Sequence, residues 1–325
     1  MFATRRSRGR PGHASVAAPP ARFVLMPLTS IPGILDVLVT RGARTRPDAA
    51  LDLLIEVPHG ATATSDFTTL AAKLTSPLPD GLVDFFHVNT DAGAPELAQA
   101  IADRFVADEP TRSAAVLRCR IPRTFIDCNR RIDAPPEDFA AGKVTPGLMP
   151  WITTPQDRAL LRAAYDRYVG AVHEATTLLG PGGAMLLLHT YAPRTVEVEV
   201  DLQIVARLRH AYEPDREATW PLRPEIDVID REIDGTSRAP APVVAALREQ
   251  LAGLGIELAE SATYPLHPST LAWDHVMAHP GRALCVEVRR DLLADPFEPF
   301  AQMRIGAAKV ERLVAPFVHA VRCWW

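Results

Sequence analysis

The sequence predicts an α/β fold: a mixed, largely parallel sheet with helices on both faces. Three observations predict it. Short, near-continuous apolar runs such as "LDLLIEV", "AMLLLHTY" and "ALCVEV" have the pattern of strands buried on both sides. These runs alternate along the chain with stretches whose apolar residues recur every three or four positions. Hydrophobic residues make up 47% and charged residues 23% of 325 positions, enough to build a core of that size.

Residues 51–57 read as the first buried strand, stopped by Pro58 and Gly60. Residues 82–88 form a second apolar segment. In "NTDAGAPELAQAIADRF", Pro95 suits a first helical turn and Leu97, Ile101 and Phe105 repeat every four residues. Residues 114–120 and 123–127 read as two further strands interrupted by Pro122. The clearest helix spans 155–179, with Thr154 as cap and Pro155 in its first turn. Gly180 to Gly183 end it, and an apolar strand follows. Later come a short strand at 226–229, a helix at 242–254, a strand at 283–288 and a closing helix at 299–321. The expected organisation is a single domain over residues 23–325, behind a basic, Pro/Ala-rich disordered tail over residues 1–22.

A formal charge of −4 gives no reason to expect nucleic acid as a partner. No apolar run reaches eighteen residues, so no membrane span is expected. Cys119, Cys128, Cys285 and Cys323 show no CxxC spacing and fit a reduced, cytoplasmic protein. The 30 prolines are scattered among loops, which implies many irregular connections around the core.

In such sheets, ligands bind beyond the carboxyl ends of the strands. His59 follows one predicted strand and His189 closes another. Asp127, Asn129 and Arg130 end a third, and Glu287 lies near the end of a fourth. Two histidines and a carboxylate, with one position open, are the usual donors of a catalytic zinc. His59 and His189 are the candidates, with Asp91 as first choice of acid and Glu96 and Glu56 as alternatives. Taken singly, a strand-end histidine is more often a hydrogen-bonded structural residue than a ligand.

The stretch "RTFIDCNRRID" gathers Arg123, Asp127, Asn129, Arg130 and Arg131. It reads either as a solvated charged loop or as a bidentate clamp for a carboxylate. Glu287 sits in an apolar run, where an unpaired carboxylate is costly. It is a candidate general base, or else the partner of Arg289 or Arg290. Glu197 and Glu199 alternate with valines, as on the polar face of a half-buried strand. Tyr191 reads as a core residue.

Taken in order, "EVPHGA", "NTDAGAPELAQAIADRF", "PRTFIDCNRRID", "LLLHTYAP" and "LCVEVRRDLL" resemble the motifs of the N-formylglutamate amidohydrolase family, relatives of the zinc carboxypeptidases and aspartoacylases. The resemblance runs from about residue 50 to about residue 315 and is most specific at "IDCNRR". It implies a zinc-carboxypeptidase-like fold and one Zn2+ per chain, held by His59, His189 and Asp91. It also implies catalytic roles for Glu287, as base and proton shuttle, and for Arg123. Asn129 and Arg130, joined by Arg123, are implied to clamp the substrate carboxylate; Asp127, read from the stretch itself, is placed with them at the substrate as the acid that orients one of these cations. The implied reaction is hydrolysis of the amide bond of a small N-acyl amino acid by metal-activated water. Carboxypeptidase-like cleavage of a short peptide, and non-catalytic binding of a carboxylated metabolite, are the competing expectations. Four departures bear on substrate identity more than on metal use. Gly60-Ala61 stand where the family has a small polar residue and then glycine. Leu187 replaces an Asp, Thr190 replaces a Ser, and "RRDLL" lacks a tyrosine.

Overall fold

The computed structural model describes residues 28–142 and 144–325; the proposed tail, residues 1–22, lies outside them. The strands are β1 (Leu35–Arg41), β2 (Leu51–Val57), β3 (Ser113–Cys119), β4 (Leu179–Tyr191), β5 (Ile226–Val228), β6 (Leu258–Glu260) and β7 (Ala283–Arg289). They form one sheet in the order β1-β3-β2-β4-β7-β5-β6. The central strands β3, β2, β4 and β7 run parallel. β1 pairs antiparallel to β3, and β5 pairs antiparallel to β7 and parallel to β6. The sheet is therefore mixed with a parallel centre, as the unbroken apolar runs require.

The helices are α1 (Thr64–Ala71), α2 (Leu82–Asn89), α3 (Ala94–Asp108), α4 (Pro136–Ala141) and α5 (Pro155–Thr177) in the first half. The second half carries α6 (Ile204–Ala211), α7 (Pro214–Glu217), α8 (Ala241–Ala252), α9 (Leu271–Ala278) and α10 (Ala307–Arg322). Strand side chains alternate between faces, and the core divides accordingly. Leu186, Leu188, Leu284 and Val286 meet apolar residues of α3, α8 and α10. Met185, Leu187, Ala283 and Cys285 meet α2, α5, α6 and α9 on the other face. Each buried Leu, Ile or Val contributes about 1.5–3 kcal/mol to holding those layers together. The Thr154 side chain accepts from the Asp157 N–H at 3.3 Å and caps α5, a contact worth about 1 kcal/mol.

Three expected elements differ. Residues 123–127 form a turn, because the Phe125 N–H is taken by the Pro122 carbonyl at 3.0 Å and Ile126 only bridges Leu148. The last helix begins at Ala307, after Gly306 and beyond the proline-bearing stretch that follows β7. Residues 195–200 carry alternating valines and exposed glutamates as read, but pair with no strand. All four cysteines are free, and three of them are buried. Among the described residues, no helix is long and apolar enough to cross a membrane.

Candidate metal centre and active site

The carboxyl ends of β2, β3, β4 and β7 lie side by side, and the candidate residues sit on or just beyond them. Parity sets their direction. In β4, Met185 and Leu187 point to the α5 face, so His189 does too; in β7, Ala283 and Cys285 do the same for Glu287. The two are register partners on adjacent strands. β2 supplies His59 from the turn after Val57, where the Gly60 N–H reaches the Val57 carbonyl at 3.2 Å. A side chain at Gly60 would meet Arg118 Cγ at 2.6 Å, so glycine there answers the close approach of β3.

Asp91 comes from the loop before α3. Its N–H donates to the His59 carbonyl at 3.3 Å, and Thr90 Oγ1 donates to the Ala61 carbonyl. Thr190 Oγ1 ties the end of β4 to the same loop through the Ala92 carbonyl at 3.1 Å. Three potential donors converge as a result. Asp91 Oδ2 lies 3.1 Å from both His59 Nδ1 and His189 Nδ1, and those two nitrogens are 3.3 Å apart. All three residues are buried. A tetrahedral ion with bonds of about 2.0–2.1 Å sets its ligand atoms roughly 3.3 Å apart. Donor type and spacing thus both fit a small divalent ion, and among the described residues this is the cluster so arranged. Of the alternative acids, Glu96 is exposed on α3, and Glu56 is turned toward Tyr168.

A second carboxylate stands behind the first histidine. Asp127 Oδ1 lies 2.8 Å from His59 Nε2, an arrangement that fixes the tautomer and leaves Nδ1 as the donor. Its other oxygen takes Arg123 Nη2 at 2.8 Å, and the Asn129 N–H donates to Oδ1 at 2.9 Å. Burial works to raise the Asp127 carboxyl, but Arg123, Arg130 and His59 outweigh it and hold it well below the usual range. Burial is likewise outweighed at Asp91, by His59 and His189. Asp127 is fully buried and does not line the cavity, so its contacts are with the protein's own groups.

The cavity beside the donors has a volume of about 230 Å³ and is lined by His59, Arg123, Asn129, Arg130, His189 and Glu287 among others. Glu287 Oε2 is buried without a hydrogen-bond partner, and neither Arg289 nor Arg290 pairs with it. Burial pushes its carboxyl up to about 7, against the pull of His189. Arg123 points Nη1 toward the donor cluster, 3.9 Å from Asp91 Oδ1. Each nitrogen of Arg130 has a protein partner: the Thr145 carbonyl, the Asn129 carbonyl and Asp127. Asn129 Oδ1 accepts from the Ala272 N–H at 2.9 Å. Tyr191, expected in the core, is buried but also lines the cavity.

Two cavity residues escape the sequence reading. Arg290 stands out in the sequence only as a partner for Glu287, and Arg223 lies in "WPLRPEID" with no periodic signal. The doubled arginine that follows Glu287 and Val288, at the end of an apolar run, was the available clue to Arg290.

Fold and site together define a class: an α/β protein whose parallel strands carry a His-Asp-His donor set and an unpaired glutamate at their carboxyl ends. No family model matches the chain, and no curated protein matches it. Among solved structures, its fold is similar to that of N-formylglutamate amidohydrolase from Ralstonia eutropha JMP134. That match has a TM-score of 0.50 at 17% identity, covering 90% of this chain and 97% of that one. Gene product Atu2144 from Agrobacterium tumefaciens matches with a TM-score of 0.48 at 18% identity, over 89% and 95% of the two chains. The structural likeness thus falls on the family that the sequence motifs resemble, and it establishes the fold.

Proposed function

We propose that this protein is a zinc-dependent amidohydrolase that cleaves the amide bond of a small N-acyl amino acid. The observation that carries the reading is the convergence of His59, Asp91 and His189 at 3.1–3.3 Å beside an unpartnered Glu287. His59, Asp91 and His189 would hold a divalent ion, which would lower the pKa of water and polarise a carbonyl, the chemistry that amide hydrolysis needs. Glu287 Oε2, free of protein partners, takes the proton of the attacking water and returns it to the leaving nitrogen. Arg123 offers positive charge to the carbonyl oxygen as it becomes anionic. Asp127 holds His59 in the tautomer that turns Nδ1 to the cluster, and Asn129 and Arg130 shape the wall between it and α9. The cavity, at about 230 Å³, suits a small acylated amino acid better than a peptide.

The test is hydrolysis of a panel of N-formyl and N-acetyl amino acids by zinc-loaded protein, with dipeptides alongside. Product release that a chelator abolishes and zinc restores is the expected result. The reading fails if zinc-replete protein releases nothing. It also fails if bound zinc is well below one equivalent and unchanged in His59→Ala.

A further inference from the structure

The cavity contains a buried cation that, among the described residues, forms no ion pair, although the Asp91 and Glu287 carboxylates act on it from further off. Arg290 opens the single 3-10 turn that follows β7 (Arg290–Leu292) and is 3% exposed. Its Nη1 donates to the Val88 carbonyl at 2.7 Å, while Nε is buried with no hydrogen-bond partner. Three neighbouring arginines are paired. Arg289 meets Asp291 and Glu225, and Arg123 and Arg130 share Asp127. Arg290 forms no ion pair among the described residues. Arg223, also without one, is only half-buried, so water can reach it. Two of its nitrogens are committed to Thr195 Oγ1 and the Tyr264 hydroxyl.

A guanidinium does not shed its proton on burial, and a buried charge left unpaired is costly. An anionic group of the ligand removes that cost, and a carboxylate matches the planar fork. A different surface faces the rest of the cavity. Val196, Val198 and Val200, from the extended segment after β4, join Ile204, Leu208 and Tyr212 in an apolar wall. Glu197 and Glu199 of that segment face solvent. Arg194 and Arg223 also line the cavity and form no ion pair among the described residues, Arg194 giving Nη1 to the Trp220 carbonyl at 2.6 Å. The valine side chains themselves offer a carboxylate no hydrogen bond, whereas an apolar group laid on them is buried favourably.

We propose that the substrate is an N-acyl amino acid with one carboxylate and an apolar side chain, the carboxylate held by Arg290 and the side chain lying on the Val196, Val198 and Val200 wall. The inference rests on the amidohydrolase reading for the amide, and on the cavity alone for the carboxylate and the apolar group.

Calorimetric binding to metal-stripped protein tests it without turnover, using N-formyl-norleucine, its carboxamide, and N-formylglutamate. The carboxylate of norleucine is expected to bind about ten-fold or more tighter than both other compounds, the value of one charged hydrogen-bonded contact. Arg290→Met is expected to erase the preference for carboxylate over carboxamide, and Arg290→Lys to restore part of it. Should both variants fail to fold, the three affinities of the wild-type protein still decide the ligand class. Equal binding of N-formylglutamate overturns the apolar assignment. A carboxylate preference that survives in Arg290→Met but vanishes in Arg130→Met overturns the anchor. Turnover by zinc-loaded protein is then read separately. Binding as expected with no hydrolysis by any metal sinks the amidohydrolase reading and leaves the anchor standing; hydrolysis with no Arg290 effect does the reverse.

Discussion

Glu56 and Glu287 are two glutamates on the same face of the same sheet, and they have opposite surroundings. Glu56 lies on β2 level with Leu187, while Glu287 lies on β7 level with His189, two residues further along β4. Glu56 is buried and provided for: the Tyr168 hydroxyl donates to Oε1 at 2.7 Å, and His275 Nε2 lies 3.4 Å from Oε2. Glu287 leaves Oε2 buried with no partner. Burial alone does not separate a structural carboxylate from a functional one; the count of partners does. An acid that the fold leaves unsatisfied is open to a ligand or a proton, and Glu287 lines the same cavity as His59 and His189.

The largest effect tests the cluster itself. We predict that His189→Ala reduces bound zinc to a small fraction of one equivalent and brings amide hydrolysis to background, because two donors at the remaining spacing do not hold the ion. Metal analysis and a turnover assay on the same sample check it, and full zinc occupancy in the variant would refute the donor assignment. Next in size is Glu287→Gln, predicted to lower turnover by about 10²–10⁴-fold, the usual share of a positioned acid-base group. No partner is lost with that charge, so the melting temperature should hold or rise. A fall of several degrees would mean that Glu287 carries structure after all.

At Glu56 the comparison predicts the reverse pattern. Tyr168→Phe removes the donor to Oε1 and leaves a buried oxygen unpaired, at a cost of about 1–3 kcal/mol in stability. Turnover per folded molecule should stay near the wild-type value. A turnover loss as large as that of Glu287→Gln, with no change in denaturation midpoint, would erase the distinction between the two sites.

Much of this was legible from residues, and the failures have physical causes. The buried runs of β2, β4 and β7 announced themselves because a parallel strand covered on both faces is apolar throughout. His59, His189 and Glu287, which the fold brings to one cavity, were legible as candidates because polar residues at the ends of such runs stand out. β1 was missed: as an edge strand it leaves Leu38 and Val39 exposed, so its pattern follows neither face. Residues 123–127 misled because "TFI" is apolar for packing in a turn, not for pairing in a sheet. Asp127 was read as touching substrate, but its grip on His59 depends on a contact 68 positions apart in sequence, which no local pattern carries. Arg290 was hidden for the same reason: only the fold shows that it forms no ion pair among the described residues.

The smallest effect lies far from the cavity, at the start of α5, and extends the comparison to a third carboxylate. Asp157 accepts from the backbone N–H of Thr75 and of Ser76 and from the Thr75 hydroxyl, at 2.6–3.1 Å. Burial works to raise its carboxyl, but hydrogen bonds to Ser76, Thr75 and Thr154 outweigh it and hold it well below the ordinary value of 3.8. A folded-state value below the unfolded one means that the ionised form stabilises the fold. That contribution is fully present above the unfolded value and is lost as pH falls toward the folded one. We therefore predict that Asp157→Asn lowers the urea midpoint at pH 7, and that the gap to wild type narrows as pH drops below about 4. Denaturation curves at pH 7, 4 and 3 measure it. A gap of constant size across that range would show that Asp157 acts through shape alone, and that satisfied carboxylates in this fold stabilise it by packing and not by charge.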